Sequence, residues 1–495
     1  MARVPRVTTA TGLGDQAARG AGVTLGAQLL RAGLQVVALV VLARLLEPRD
    51  FGLVAMVTAV IGVAEVLRDF GLSSAAIAAR DVTRAERDNL FWVNTGLGLA
   101  CGVLATAATP LVVALYDEPR LATVVPVLAA VFLVSGANTQ YRADLSRRLR
   151  FRALAVADIA SQVLAMGVAI GLALAGAGLW AVVGQQVTAA TVLLLVNVVS
   201  ARWLPGRYRR DVPLRRFFRF GGALLGTQSI SYLTKNVDNV ALGAVWGASV
   251  LGVYSRAYQL LMMPLNQVNA PLTRVALPVL SRVRDDGPTY RRYLSRAQLV
   301  GCYVTATGFA VGAGLAEPLV ALLFGPRWSA VAPVFAVLAL GGIFRAVSQL
   351  AYWMYLSQDL TGAQLKQFLV TRPLMVLVIV AGTPWGAVGV AAGHSIAYAL
   401  YWVASLWHVG KVSGVDTGPL LRNATRVLLT VSAPCGVLAL AATWLPVPAA
   451  VQVVVGLLAA AAWLGLLVAV VPAVRADAVT VRSFALRAAG RRRAA

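Results

Sequence analysis

Ionisable and amide side chains interrupt stretches of this chain that are otherwise apolar, and they recur with helical spacing. Thr24, Gln28, Arg31 and Gln35 follow one another at intervals of 4, 3 and 4 residues, which puts them on one helical face. Gln228, Ser231, Lys235 and Asp238 follow at 3, 4 and 3, again one face. Arg256 and Arg274 bracket Gln259, Asn266, Gln267 and Asn269, and Arg345 lies mid-run, followed by Ser348, Gln349 and Tyr352. A charge at the centre of a bilayer costs about 3 kcal/mol or more unless it faces protein or water. The stripes are therefore expected to face a shared hydrated cavity. Basic residues outnumber acids in this set, which suits an anionic ligand. Guanidinium groups grip phosphate oxygens in pairs, so a lipid-linked pyrophosphate head group fits and an organic cation fits poorly.

Simpler roles compete at several of these positions. Arg68 and Asp69 lie near the end of an apolar run, where snorkelling accounts for them, and Arg372 before Pro373 has the same explanation. Asp158 is read as a structural group near an interface. Lys235 and Asp238, three apart, could neutralise each other. Asp238 and Glu65 are the two acids considered for ion coupling or for an ion pair, with H+ or Na+ as the coupled ion; no resident cofactor or metal is expected. His394 is read as a packed polar group. Arg31 and Arg345 are the deepest charges and are read as cavity-lining.

These residues need a membrane to be unusual in, and composition supplies it. Of 495 residues, 59% are hydrophobic and 13% charged, against about 45–50% and about 25% in soluble proteins. Apolar runs fall at about 22–45, 51–73, 90–116, 121–140, 155–176, 178–201, 217–242, 250–280, 296–323, 332–356, 364–382, 385–409, 424–445 and 448–473. The expected fold is thus all-α, a polytopic membrane protein of about fourteen spans. With the N-terminus in the cytoplasm, 33 of the 44 Lys and Arg fall on cytoplasmic segments, four outside and seven within spans. That alternation supports the span count and places both termini in the cytoplasm.

The spans repeat. Gly22, Gly26, Gln28, Leu42 and Gly52 recur 200 positions later as Gly222, Gly226, Gln228, Leu242 and Gly252. Pro119-Arg120, five residues, then Pro126-Val127 recurs as Pro326-Arg327, five residues, then Pro333-Val334, and Gly178 has a weaker counterpart in Gly386. Six spans separate the copies, and an even number preserves orientation, so the repeats are parallel. The expected organisation is a cytoplasmic tail (1–21), an N-lobe of six spans (22–201), a basic linker (202–216), a C-lobe of six spans (217–409), two appended spans (424–473) and a basic tail (474–495) lying on anionic lipid.

Other chemistries lack their residues. The three lysines, Lys235, Lys366 and Lys411, lie outside any Walker sequence. Cys101, Cys302 and Cys435 sit in apolar runs and suggest no disulfide framework, and His394 and His408 have no metal-ligand spacing. The net charge of +24 could indicate nucleic acid, but the hydropathy argues against it and for lipid anchoring. Gly96, Gly98 and Gly102 are read as a helix-packing surface rather than a phosphate loop.

Asn236-Val-Asp-Asn-Val-Ala-Leu-Gly243, Leu251-Gly-Val-Tyr-Ser-Arg-Ala-Tyr-Gln-Leu260, Pro264 and Pro278-Val-Leu-Ser281 resemble Wzx-type polysaccharide flippases of the multidrug/oligosaccharidyl-lipid/polysaccharide (MOP) exporter superfamily. Phe51-Gly52, Asp69-Phe-Gly-Leu72 and Phe151 match the same pattern. The likeness covers the first twelve spans well and the last two weakly. It implies a V-shaped two-lobe transporter that flips a polyprenyl-pyrophosphate oligosaccharide from the inner to the outer leaflet by alternating access, driven by an ion gradient. It implies that Arg31, Lys235, Arg256, Arg274 and Arg345 contact the head group, with Gln28, Gln35 and Gln228 on the same stripes. The implied setting is the cytoplasmic membrane, with membrane lipids, a polysaccharide polymerase and glycosyltransferases as partners. A lipid II flippase, a drug/cation antiporter of the same fold and a membrane glycosyltransferase or polymerase are the competing readings. The antiporter predicts a carboxylate-dominated cavity. The enzyme predicts a large extramembrane loop with acidic catalytic residues.

Overall fold

The computed structural model describes residues 10–79 and 81–490; the side chains of 10–25, 220–231 and 233–235 and a few others, among them Arg274, lie outside the description. Gln228, Lys235 and Arg274 are therefore placed on helical backbone only. Helices account for all regular structure among the described residues, as hydropathy requires, because a helix satisfies its own backbone inside lipid. Among the described residues, ten helical stretches are long and apolar enough to cross a membrane, or eleven if one bent pair counts as a single span. This falls short of the fourteen expected, although the stretch Thr361–Ser413 contains two helices, α14 and α15 below.

The chain divides into two compact units, one up to Asn236 and one from Val237. The first comprises α1 (Ala10–Leu45), α2 (Pro48–Asp69), α3 (Leu72–Ala78), α4 (Arg84–Ala107), α5 (Thr109–Tyr116), α6 (Leu121–Arg147), α7 (Phe151–Leu174), α8 (Leu179–Ala201) and the start of α9 (Arg215–Arg282). The sequence stops and starts these helices locally. Thr83 caps α4 by accepting from the Glu86 N–H while the Glu86 carboxylate accepts from the Thr83 N–H, a reciprocal capping box. Helix α4 packs on α6, and α1 and α8 on α7. The α4–α6 crossing is close because a Cβ on Gly98 would lie 2.5 Å from the Phe132 carbonyl oxygen and one on Gly102 3.0 Å from that of Ala129. Gly98 and Gly102 thus form the packing surface read from sequence, whereas Gly96 faces open space.

The second unit holds the rest of α9, broken at Gly247 (φ 77°), then α10 (Gly287–Gly301), a π-helical turn (Cys302–Ala306), α11 (Thr307–Gly314), α12 (Ala316–Leu323), α13 (Val331–Ser357), α14 (Thr361–Ala381), α15 (Gly386–Ser413), α16 (Gly418–Val427), a second π-helical turn (Leu428–Ser432), α17 (Ala433–Ala442), α18 (Ala449–Val470) and α19 (Pro472–Gly490). The two π turns touch, and Thr307 Oγ1 lies 2.9 Å from Ser432 Oγ. The core gathers Tyr290, Leu294, Met354, Tyr355, Leu406 and Val431, all buried. Helix α19 is tied down through Asp477, which accepts from Arg426 Nη2 at 2.5 Å and from the Tyr303 hydroxyl at 2.9 Å.

The repeat is visible in the backbone of the two units. Short α5 and α12 precede α6 and α13, which are both 27 residues long. Each of these ends two residues before a left-handed residue, Leu149 (φ 54°) or Asp359 (φ 58°). Gly178 (φ 52°) and Gly386 (φ 65°) then sit at matching starts of α8 and α15; both need the φ that only glycine adopts at no steric cost.

Candidate substrate site

In the first unit, α1, α6 and α7 bring three charges to one point. Arg31 Nη1 donates to Asp158 Oδ2 at 2.7 Å. Arg142 approaches the same carboxylate from α6 with two nitrogens, Nη1 to Oδ1 at 2.7 Å and Nη2 to Oδ2 at 3.3 Å. The carboxylate is 15% exposed, whereas the side chains of Arg31 and Arg142 are 40% and 42% exposed. Two cations share one anion, so the cluster carries formal charge +1 with open guanidinium faces. Gln28 and Gln35 lie one turn to either side of Arg31 on α1 and are half-buried.

A second group lies on α2. Arg68 is buried and donates to both oxygens of Glu65, at 3.1 and 2.5 Å, and to Thr139 Oγ1 at 2.6 Å. Glu65 is thus an ion-pair partner, one of the two roles considered for it. Arg68 points into α6 rather than out to an interface, because Thr139 supplies a buried acceptor there.

In the second unit, Asp238 is buried on α9 and accepts from the Tyr254 hydroxyl at 2.7 Å and the Asn239 N–H at 2.9 Å. Arg345, on α13, donates to the Tyr258 hydroxyl at 3.2 Å and lies over the Tyr398 ring at 5.0 Å. The Tyr254 and Tyr258 rings stack with centroids 6.1 Å apart, so a chain of contacts runs from Asp238 through both tyrosines to Arg345. His394 packs edge-on to Tyr258 and against Tyr398, with ring centroids 5.6 and 4.9 Å apart, as a packed polar group would. Arg256 is half-buried on α9, the helix of Asp238. Arg372 lies over the Phe368 and Tyr401 rings at 4.7 and 5.3 Å.

Of the sequence candidates, Asp238 and Arg345 are joined through Tyr254 and Tyr258, and Arg31 joins Asp158, read from sequence as a structural group, and Arg142, which sequence reasoning did not single out. The available signal was an acid at the start of one apolar run facing the basic end of the run before it. The tyrosines around Arg345 were also missed; Tyr254 and Tyr258, four apart in a polar span, were the signal. The arrangement can hold anions through half-exposed guanidinium groups in one unit, and in the other it sets Asp238 and Arg345 against tyrosine hydroxyls that join them.

Comparison with known proteins places these features in a family. Residues 41–333 match the family model described as polysaccharide biosynthesis protein. The chain is 27% identical over 372 residues to the lipopolysaccharide biosynthesis protein WzxC of Escherichia coli, covering 73% of this chain and 74% of that one. It is 28% identical over 288 residues to the teichuronic acid biosynthesis protein TuaB of Bacillus subtilis, covering 57% and 59%. It is 29% identical over 317 residues to the succinoglycan biosynthesis transport protein ExoT of Rhizobium meliloti, covering 62% of each. In fold it resembles the lipid II flippase MurJ in an inward closed conformation (TM-score 0.71, 13% identity, 89% of this chain and 97% of that one). It also resembles an inward-facing multidrug resistance MATE transporter of the MOP superfamily (0.62, 15%, 80% and 99%). The chain is a multi-pass membrane protein that belongs to the polysaccharide biosynthesis protein family, with the fold of the MOP superfamily.

Proposed function

We propose that this protein flips a polyprenyl-pyrophosphate-linked oligosaccharide from the cytoplasmic to the outer leaflet of the cytoplasmic membrane, by alternating access, for surface polysaccharide assembly. The observation that carries the proposal is the half-exposed pair Arg31 and Arg142 with a single carboxylate between them. A pyrophosphate is the membrane-embedded anion that a forked guanidinium pair suits best. Names of relatives that make lipopolysaccharide, teichuronic acid and succinoglycan support a glycan cargo. In the second unit, Arg345 and Arg256 carry positive charge of their own, and Asp238 is the acid through which H+ or Na+ would couple. Both termini face the cytoplasm in this proposal, as the distribution of Lys and Arg suggests. The excess of cations over acids favours this cargo over an organic cation.

The test is transport in proteoliposomes loaded with a fluorescent polyprenyl-pyrophosphate oligosaccharide. Protein-dependent movement between leaflets is expected, abolished in Arg31→Ala with Arg345→Ala although the variant reaches the membrane folded. Undiminished movement in that variant removes the site; no movement with any lipid-linked glycan, against movement of an organic cation, removes the function.

A further inference from the structure

The Arg31–Asp158–Arg142 cluster is built differently from an ordinary ion pair. Three helices each contribute one charged group, and the single carboxylate is shared so that each of its oxygens faces a guanidinium nitrogen at 2.7 Å. Two N–H groups of Arg142 point at Asp158 side by side, which is the fork geometry that also fits a phosphate. The anion at the centre is the more buried member and the cations the more open ones. A pair that served packing alone needs one cation per carboxylate; here a second positive charge remains uncompensated.

We propose that Asp158 is a built-in surrogate for the substrate phosphate. It holds Arg31 and Arg142 in register while the site is empty, and it is displaced from them when a phosphate arrives. Arg142 is then the second head-group ligand, and Asp158 sets how tightly the head group is held and how readily it leaves. Competition follows from charge: the site is +1 with Asp158 in place and +2 without it, and a phosphate offers more oxygens and more charge than the carboxylate it replaces. The carboxylate re-forming its bonds to both arginines favours release at the end of the cycle. The identity of the anion as a lipid-linked pyrophosphate rests on the function proposed above; the surrogate role does not.

The experiment is binding of inorganic pyrophosphate to the full-length protein in nanodiscs, followed by titration calorimetry. Asp158→Asn is expected to bind about tenfold tighter than the parent, because even a partly screened unit charge near 4 Å exceeds that effect. Arg142→Ala is expected to lose binding, and Arg142→Lys to weaken it about tenfold by replacing a fork with a point charge. Equal or weaker binding by Asp158→Asn overturns the surrogate role. If Asp158→Asn does not fold, Arg142→Lys decides: unchanged pyrophosphate binding overturns the proposal, and weakened binding at an unchanged melting temperature supports it. Tighter binding by Asp158→Asn in a protein that moves no lipid-linked glycan keeps this proposal and removes the function.

Discussion

The Asp238–Arg345 arrangement makes a quantitative prediction. Arg345→Met keeps most of the side chain's volume and removes its charge. The structure assigns Arg345 one charge-assisted hydrogen bond to Tyr258, long at 3.2 Å and so near the low end, about 1.5 kcal/mol. Its position over Tyr398 adds about 2 kcal/mol in a desolvated setting. Asp238 also loses a favourable charge acting through the tyrosines, while keeping its hydrogen bonds from the Tyr254 hydroxyl and the Asn239 N–H. The expected loss is about 3–4 kcal/mol, and a melting midpoint lower by roughly 5–10 °C in detergent. Asp238→Asn in the Arg345→Met background should recover part of that loss, because the stranded charge is gone. A double-mutant cycle on the melting midpoints reads the coupling, expected at about 1–2 kcal/mol. Strict additivity, with the double variant no more stable than the sum of the singles, refutes the electrostatic link between α9 and α13.

Three further outcomes follow from packing and caps. Gly98→Leu should prevent α4 and α6 from closing on each other, since even a Cβ meets the Phe132 carbonyl at 2.5 Å; size-exclusion chromatography should show aggregation while Gly96→Leu elutes as the parent does. Asp477→Asn should loosen α19, raising amide exchange in 472–483 and leaving exchange in α13 unchanged. Thr289 holds the Asp286 carboxyl below its usual range, through its hydroxyl first and its backbone N–H second. The cap on α10 is thus fully present above the ordinary carboxylate range and is lost as pH falls through the lowered value; exchange at the Thr289 amide should rise on acidification, and Asp286→Asn should remove that pH dependence.

Periodicity made the helices, the recurrence of elements within the two units and the glycine surface on α4 legible in the sequence. Gly178 and Gly386 show why: an unusual backbone angle restricts the residue type, so the conformation leaves a trace in sequence. The site was legible only in part. Arg31 and Arg345 stood out because they interrupt apolar runs, but pairing depends on which helices cross. Arg142 and Asp158 are 16 residues apart on consecutive helices, and a position near a helix end looks the same whether the side chain turns outward or toward α1. Arg68 illustrates the converse. Nothing in its own neighbourhood signals that Thr139, 71 residues on, waits inside to receive it. The exact span count was not legible, because hydropathy scores runs such as 51–73 by composition, whereas among the described residues length, continuity and internal charge single out ten helical stretches, or eleven with one bent pair.

The paired π turns at Cys302–Ala306 and Leu428–Ser432 have a consequence for how this chain tolerates change. A π turn stores one extra residue in a helix and rotates everything beyond it by about 100°. Two helices that carry such a turn side by side are matched in phase, like two screws advanced by the same fraction of a thread. Removing one residue from either turn would return that helix to α geometry and swing its remaining half out of step with its neighbour. Removing one from each would restore agreement between the two but misalign both with α13 and α18. Length at these two places is thus constrained jointly, even though neither segment carries a charged group.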